Sequence, residues 1–174
     1  GSMEAQYGSY NTINSSFSGE ISSGNATVWG SLSHLASDGY RENNHYKRTT
    51  ALTTARWKMK GWSVNTTFLL INVNGGIPSS LGKTEFENDP SSAAANWKAV
   101  GGYKKYLKGL SAVELTNNIS ERFSNQFTVF GKLNDSYEKR PFNNLDDGSI
   151  SGGFRNILRY KILNTEFVAG AEWI

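Results

Sequence analysis

The residues best suited to chemistry in this sequence are basic and aromatic side chains that stand together in its long polar stretches. Arginine and lysine can hold an anionic ligand, arginine through a two-pronged fork of donors. Tryptophan and tyrosine add flat contact area with a polar edge. The alternative is that these side chains brace neighbouring loops against one another. The candidate ligand-binding residues are Tyr40, Arg41, Trp97, Tyr103, Lys104, Lys105, Arg140 and Phe142.

Other arrangements that could support chemistry are incomplete. The two histidines, His34 and His45, have no cysteine partners and lack the spacing of a metal-binding helix, so no metal site is expected. Ser33, His34 and Asp38 lie close in sequence, but no nucleophile-elbow motif frames them. The run at 143–148 (NNLDDG) lacks a full calcium-loop pattern and is explained by turn chemistry. The sequence therefore predicts neither an enzyme nor a bound cofactor.

Composition narrows the class of protein further. The 174 residues carry 18 basic and 15 acidic side chains, and this near balance gives no support to a nucleic-acid partner. The absence of cysteine excludes a disulfide scaffold. The longest apolar run, at 68–71, is far too short for a membrane-spanning helix. Five Trp, eight Tyr and nine Phe argue against a disordered chain.

Alternation of apolar and polar residues is the main structural pattern. Between Phe123 and Leu133, the odd positions are mostly apolar and the even positions mostly polar, as in a strand with one buried face. The same period recurs along the chain and predicts about eight strands of about ten residues. The pattern does not decide whether residues 4–10 form a ninth strand. The predicted fold class is all-β, an antiparallel up-and-down meander forming a transmembrane β-barrel or a barrel fragment.

The connections between these strands alternate between short and long. Short links are predicted at 23–25, 60–61, 120–122 and 163–164, and long loops at 37–46, 74–106 and 135–148. Tight turns on one side and long loops on the other are typical of outer-membrane barrels. Within the longest loop, Asn88, Asp89 and Pro90 predict the start of a short helix over 91–98. A soluble lipocalin-like barrel with apolar residues inside, or a small pore, is the alternative.

The two predicted faces differ in composition. Aromatics of the apolar face cluster near the short turns, as an interfacial girdle would: Trp57, Trp62, Phe123, Tyr160 and Phe167. The polar face carries both signs of charge: Glu20, Arg56, Lys58, Glu114, Lys132, Arg155, Arg159, Lys161, Glu166 and Glu172. Among these, Arg56, Glu114, Arg155 and Arg159 are candidates for a ligand path, with structural ion pairs as the alternative.

Four loop segments carry a family resemblance. They are residues 7–12 (YGSYNT), 37–43 (SDGYREN), 74–78 (NGGIP) and 132–145 (KLNDSYEKRPFNNL). In this order, on the long-loop side of a meander, they resemble the first part of the barrel of TonB-dependent outer-membrane receptors. The sequences of these four segments are most similar to those of siderophore-type receptors of the Bacteroidetes kind.

The resemblance implies a 22-stranded barrel around an N-terminal plug, in the bacterial outer membrane, that imports ferric siderophores and couples to TonB through the plug. Residues 1–3 look like the remnant of an expression tag, and residues 4–174 match part of the barrel without the plug and the other strands. Such a segment has two free sheet edges. Lipid or detergent is its expected partner. The sequence does not decide whether the segment closes into a small barrel, pairs edge to edge with a second copy or stays open.

Overall fold

The computed structural model describes residues 1–174 and consists of a single nine-stranded sheet with two short helices in one loop. The strands are β1 (Ser2–Gly8), β2 (Thr12–Ser23), β3 (Ala26–Ser37), β4 (Tyr46–Met59), β5 (Trp62–Gly76), β6 (Tyr103–Asn118), β7 (Phe123–Lys139), β8 (Asn144–Ile162) and β9 (Thr165–Trp173). The helices are α1 (Lys83–Asn88) and α2 (Ala95–Val100). Neither helix has the length and apolar composition needed to cross a membrane.

The strands follow one another in the sheet in chain order, and every neighbouring pair is antiparallel. This confirms the predicted meander and adds the ninth strand, β1, which pairs along Thr12–Ser18 of β2. Ser2 and Met3 are part of β1, so the strand includes residues of the predicted tag remnant. The sheet is open, with β1 and β9 as its two edges.

The hairpin of β7 and β8 is longer than predicted. The predicted loop 135–148 is wrong, because β7 continues to Lys139, β8 begins at Asn144, and only residues 140–143 connect them. Tyr137 pairs with Asp146 across the hairpin, and the Asn134 amide donates to Asp147 at 2.8 Å. Cross-strand pairing thus overrides the turn preference of the Asn, Asp and Gly residues.

The loop of residues 77–102 holds two helices rather than the single helix predicted over 91–98. Asp89 ends α1 and does not begin a helix. Its carboxylate accepts hydrogen bonds from the Ser91 hydroxyl at 2.6 Å and the Ser91 amide at 2.9 Å, which lower the pKa of Asp89. Because this turn occupies the residues after Asp89, the second helix begins at Ala95 and not at residue 91.

The apolar residues of the strands share one face, which we call the apolar face. Opposite pairing places Phe17, Leu32, Ala51 and Leu70 in one row across β2 to β5. These side chains are uncovered: Phe17 is 60% exposed and Ile150 is 85% exposed. Only four of the 174 residues are buried, so the sheet has almost no core of its own. Exposed apolar area of this extent is unfavourable in contact with water.

The opposite, polar face carries all ten charged residues predicted for it. For example, Arg56, Glu114 and Arg155 lie in one row across the sheet. Large apolar side chains of this face are better covered than those of the apolar face. Leu69 and Leu110 are half-buried, whereas Phe68 and Val113 of the apolar face are 51% and 50% exposed.

Candidate functional site

Two loops at one end of the sheet, residues 38–45 and 77–102, are held together around Arg41. Its guanidinium donates from Nε to the Ser92 carbonyl at 3.0 Å and from Nη1 to the Ser79 carbonyl at 2.7 Å. The third nitrogen, Nη2, is buried without a partner. Arg41 thus braces the long loop in this structure, and its role in ligand binding stays a prediction.

Glu42 provides a second connection between the same two loops. Its Oε1 pairs with the Lys98 ammonium at 2.6 Å, and its Oε2 accepts from the Ala93 amide at 3.3 Å. The Lys98 hydrogen bond, followed by that from Ala93, lowers the pKa of the Glu42 carboxyl. We call the contacts made by Arg41, Glu42 and Asn43 the loop clasp.

Asn43 completes the loop clasp. Its side-chain amide donates to the carbonyls of Ile77 and Gly102, at 2.9 and 2.8 Å, where the long loop leaves β5 and enters β6. Glu42 and Asn43 were not among the predicted site residues, although they follow Arg41 directly. The role of Glu42 and Asn43 in joining the loops depends on contacts with a segment distant in the sequence. No local sequence pattern could therefore have predicted it.

Trp97, a predicted ligand-binding residue, packs against the backbone of the buried residue Gly102. A Cβ added at Gly102 would fall inside van der Waals contact with the Trp97 ring. Tyr40 lies beside Tyr10 with the ring centres 5.8 Å apart in an edge-to-face arrangement. Trp97 and Tyr40 therefore make packing contacts at the loop end of the sheet. Tyr40 remains 51% exposed.

The remaining predicted site residues lie apart from the loop clasp. Tyr103 packs beside Tyr137, with ring centres 5.9 Å apart, on the side of the sheet that continues the apolar face. Arg140 donates to Glu138 at 2.6 Å, and Lys104 pairs with the same carboxylate at 3.2 Å. Phe142 is 91% exposed at the tip of the β7–β8 hairpin. The structure thus does not bring the eight candidate residues into one site.

Three of the four charged residues predicted for a ligand path, namely Glu114, Arg155 and Arg159, form hydrogen bonds with neighbouring side chains of the polar face. The Glu114 carboxylate accepts from Asn65 and Gln126, and Gln126 in turn accepts from Arg159 at 2.8 Å. Arg155 pairs with Glu172 of β9. These contacts agree with the structural alternative, while a ligand path stays a prediction.

A groove crosses the polar face from β5 to β8, and Lys104 is the one predicted ligand-binding residue in its lining. Its volume is about 710 Å³, and its lining includes Leu69, Ile71 and Leu110 beside Lys108 and Lys132. One signal was available in the sequence: the run at 68–71 is apolar at both odd and even positions, so some of its side chains must lie on the polar face. No group of three or more His, Asp or Glu residues is placed to hold a metal ion.

No known protein-family model matches the sequence, and no curated protein sequence matches it. Among solved structures, the chain is similar to the ferric citrate transporter FecA in its unliganded form, with a TM-score of 0.74 and 10% sequence identity. The likeness covers 97% of this chain and 27% of that one, so this chain spans about a quarter of the transporter's length. At this identity the likeness shows the fold alone: the sheet has the form of a barrel fragment.

Proposed function

We propose that this chain forms part of the wall of a β-barrel in the bacterial outer membrane, in a receptor of the TonB-dependent kind. The whole receptor would import a ferric siderophore or a similar nutrient, with energy delivered by TonB through a plug domain. The chain would act as a wall and carry out no reaction. The observation that carries the proposal is the exposed apolar face of a meander that has almost no core.

The height of the apolar face suits a bilayer. On β8 its apolar positions run from Ile150 to Ile162, in steps of two or four residues. At about 3.3 Å per residue this is roughly 40 Å of strand, which a tilt of about 45° reduces to roughly 28 Å. The apolar band of outer-membrane barrels is about 25 Å tall. Of the 123 backbone hydrogen bonds, 105 lie within helices and strands, as a strand surrounded by lipid requires.

The two ends of the sheet also support the proposal. Trp57, Trp62, Phe123, Tyr160 and Phe167 lie on the apolar face near the short turns, where a membrane interface favours aromatic rings. The longest loops meet at the opposite end, where the loop clasp holds them. The likeness to a ferric citrate transporter supports a ferric chelate as the class of cargo.

Refolding the chain into nonionic detergent and into liposomes tests the membrane assignment. We expect insertion into both and an unboiled band on SDS gels that migrates differently from the boiled band. A monodisperse monomer in detergent-free buffer would contradict the proposal. Import is tested by comparing the uptake of a labelled ferric chelate between cells that carry the whole receptor and cells that lack it. Equal uptake by the two kinds of cell would contradict the import part of the proposal.

A further inference from the structure

We propose that the apolar face binds a phosphorylated lipid near the long loops, with its phosphate at lysines of β4 and β6 and an acyl chain in a groove below them. The inference rests on the proposed function in taking the apolar face as the side of the sheet that meets the bilayer. It adds the chemical class of the lipid and the place where that lipid is held.

Within the strands, charged side chains occur on the apolar face only at the end near the long loops. They are Lys47, Lys105, Asp135, Lys139 and Asp146. The short-turn end of the same face carries aromatic and other uncharged side chains. In a bilayer these two ends lie at opposite surfaces. The charged residues would therefore meet the headgroups of one leaflet only.

The part of this charged end that lies over β4 to β6 is basic. Asn74 of β5 lies directly opposite both Lys47 and Lys105, and Asn72 lies in the next row. All four side chains are exposed, and we call them the basic rim. This face has no carboxylate on β4, β5 or β6, because its two aspartates are on β7 and β8.

Both lysines of the basic rim are without a carboxylate partner. Neither forms an ion pair, whereas Lys104, on the opposite face, is paired with Glu138 at 3.2 Å. The Lys105 ammonium instead lies 5.4 Å from the Tyr137 ring centre. Neighbouring strands are about 4.8 Å apart, so the Cα atoms of Lys47 and Lys105 are about 10 Å apart. Each lysine can therefore meet a phosphate by itself, and Asn74 offers amide donors between them.

A groove of about 350 Å³ indents the apolar face on the bilayer side of the basic rim. Gly109 lies at its floor, between Leu70 of β5 and Leu133 of β7, and Phe68 and Ile150 also line it. Gly109 is four residues from Lys105, so about 13 Å of strand separates the groove from the basic rim. This separation leaves room for the glycerol ester that joins a phosphate to its acyl chain.

The basic rim and the groove together favour one class of occupant. A neutral lipid would fill the groove and leave the two lysines without an anion. A free phosphate would meet the lysines and leave the groove without an apolar occupant. A lipid with a phosphate headgroup supplies both, and basic side chains at a membrane surface attract anionic lipids.

Native mass spectrometry of the chain refolded in nonionic detergent tests the basic rim. Dioleoyl phosphatidic acid and dioleoyl phosphatidylcholine are added at equal concentrations. The parent chain should bind phosphatidic acid at least about tenfold more tightly. Lys47→Gln and Lys105→Gln should each weaken this binding about fivefold, and the double variant should lose the preference. Glycerol 3-phosphate, which has no acyl chain, should not displace the bound lipid.

Gly109→Val tests the groove. A Cβ at this position lies in ordinary contact with Leu70 and Leu133, at 3.8 and 3.5 Å, so valine fills the groove and suits the strand. It should weaken binding of phosphatidic acid about threefold. Gly30→Val is the control, because Gly30 is on the apolar face outside the groove, and it should bind as the parent does. Unchanged binding by Gly109→Val would overturn the placement of the acyl chain.

The double variant Lys58→Gln with Lys108→Gln is the matched control for charge. It removes two lysines from the same strands, β4 and β6, but from the polar face, and should keep the preference for phosphatidic acid. Equal loss of the preference in this variant, or no preference in the parent chain, would overturn the lipid proposal. Heat-modifiable protein with either result would leave the proposed function standing. A chain that enters neither detergent nor liposomes would overturn the proposed function as well.

Discussion

Glu42 and Lys98 are 56 residues apart in the sequence, yet their side chains form an ion pair of 2.6 Å that joins two loops. Because the folded pKa of Glu42 is lowered, its contribution to holding the loops is fully present above the unfolded pKa of about 4.3. That contribution is lost as the pH falls through the lower, folded pKa.

The first prediction is therefore a pH-dependent loosening of the long loop. The amide resonance of Ala93, which donates to Glu42, should shift between pH 7 and 3 with a midpoint below about 4.3. NMR titration of the refolded protein measures this shift. Glu42→Gln should remove it, and a midpoint above about 4.3 in the parent chain would contradict the assignment.

The second prediction concerns the brace formed by Arg41. Arg41→Lys loses the planar fork that reaches the carbonyls of Ser79 and Ser92, so the loop should open more readily, by about 1–3 kcal/mol. Hydrogen exchange of residues 77–102 measures the change. Arg48→Lys is the control, because Arg48 is exposed and donates only to the Thr50 hydroxyl. Equal exchange in both variants would exclude the brace.

The third prediction concerns the close approach of Trp97 to Gly102. Gly102→Ala should displace the indole ring and destabilise the loop by about 1–3 kcal/mol, because the added methyl group overlaps the ring. Gly148→Ala should change stability by less than about 0.5 kcal/mol, since nothing lies within 4 Å of an added Cβ there. Urea unfolding in detergent compares the two, and equal midpoints would disprove the packing argument.

The fourth prediction separates the two faces with neighbouring residues. Val129 is on the apolar face and Thr128 on the polar face, in the row of Glu114. Val129→Lys should cost about 2–4 kcal/mol of folding stability in liposomes, whereas Thr128→Lys should cost much less. Urea titration followed by the heat-modifiable band measures both variants. A larger loss for Thr128→Lys would reverse the assignment of the faces.

The fifth prediction follows from the number of strands. With nine strands and every neighbouring pair antiparallel, β1 and β9 run in the same direction, so they could close the sheet only as a parallel pair. We therefore expect the edges to stay apart within one chain and to be free to pair with another strand. The absence of cysteine allows a test with engineered thiols.

Ala5→Cys with Ala169→Cys places one thiol on each edge, and a short bifunctional reagent should give no crosslink within a chain. Ala5→Cys with Ser15→Cys should crosslink readily, because these residues lie opposite each other in β1 and β2. Mass spectrometry distinguishes crosslinks within a chain from those between copies. Efficient crosslinking of the first pair within a chain would show that the sheet closes.

Strand positions and the composition of the two faces could be predicted from the sequence because side-chain alternation is a local property of a strand. The apolar placement of Phe127 and Val129, and the aromatics near the short turns, follow from that period alone. The length of the β7–β8 hairpin did not follow, because Asn134, Asp135 and Gly148 favour turns locally and are held in strands by their cross-strand partners.

A meander with one apolar face could be read from the residues alone, since the period of two and the positions of short turns are local features. Only the folded sheet shows which residues of distant segments meet, such as Glu42 with Lys98, and which side chains line the groove across β5 to β8. Such contacts depend on strand register and on the path of a long loop. Both are set by the free energy of the whole sheet and not by neighbouring residues.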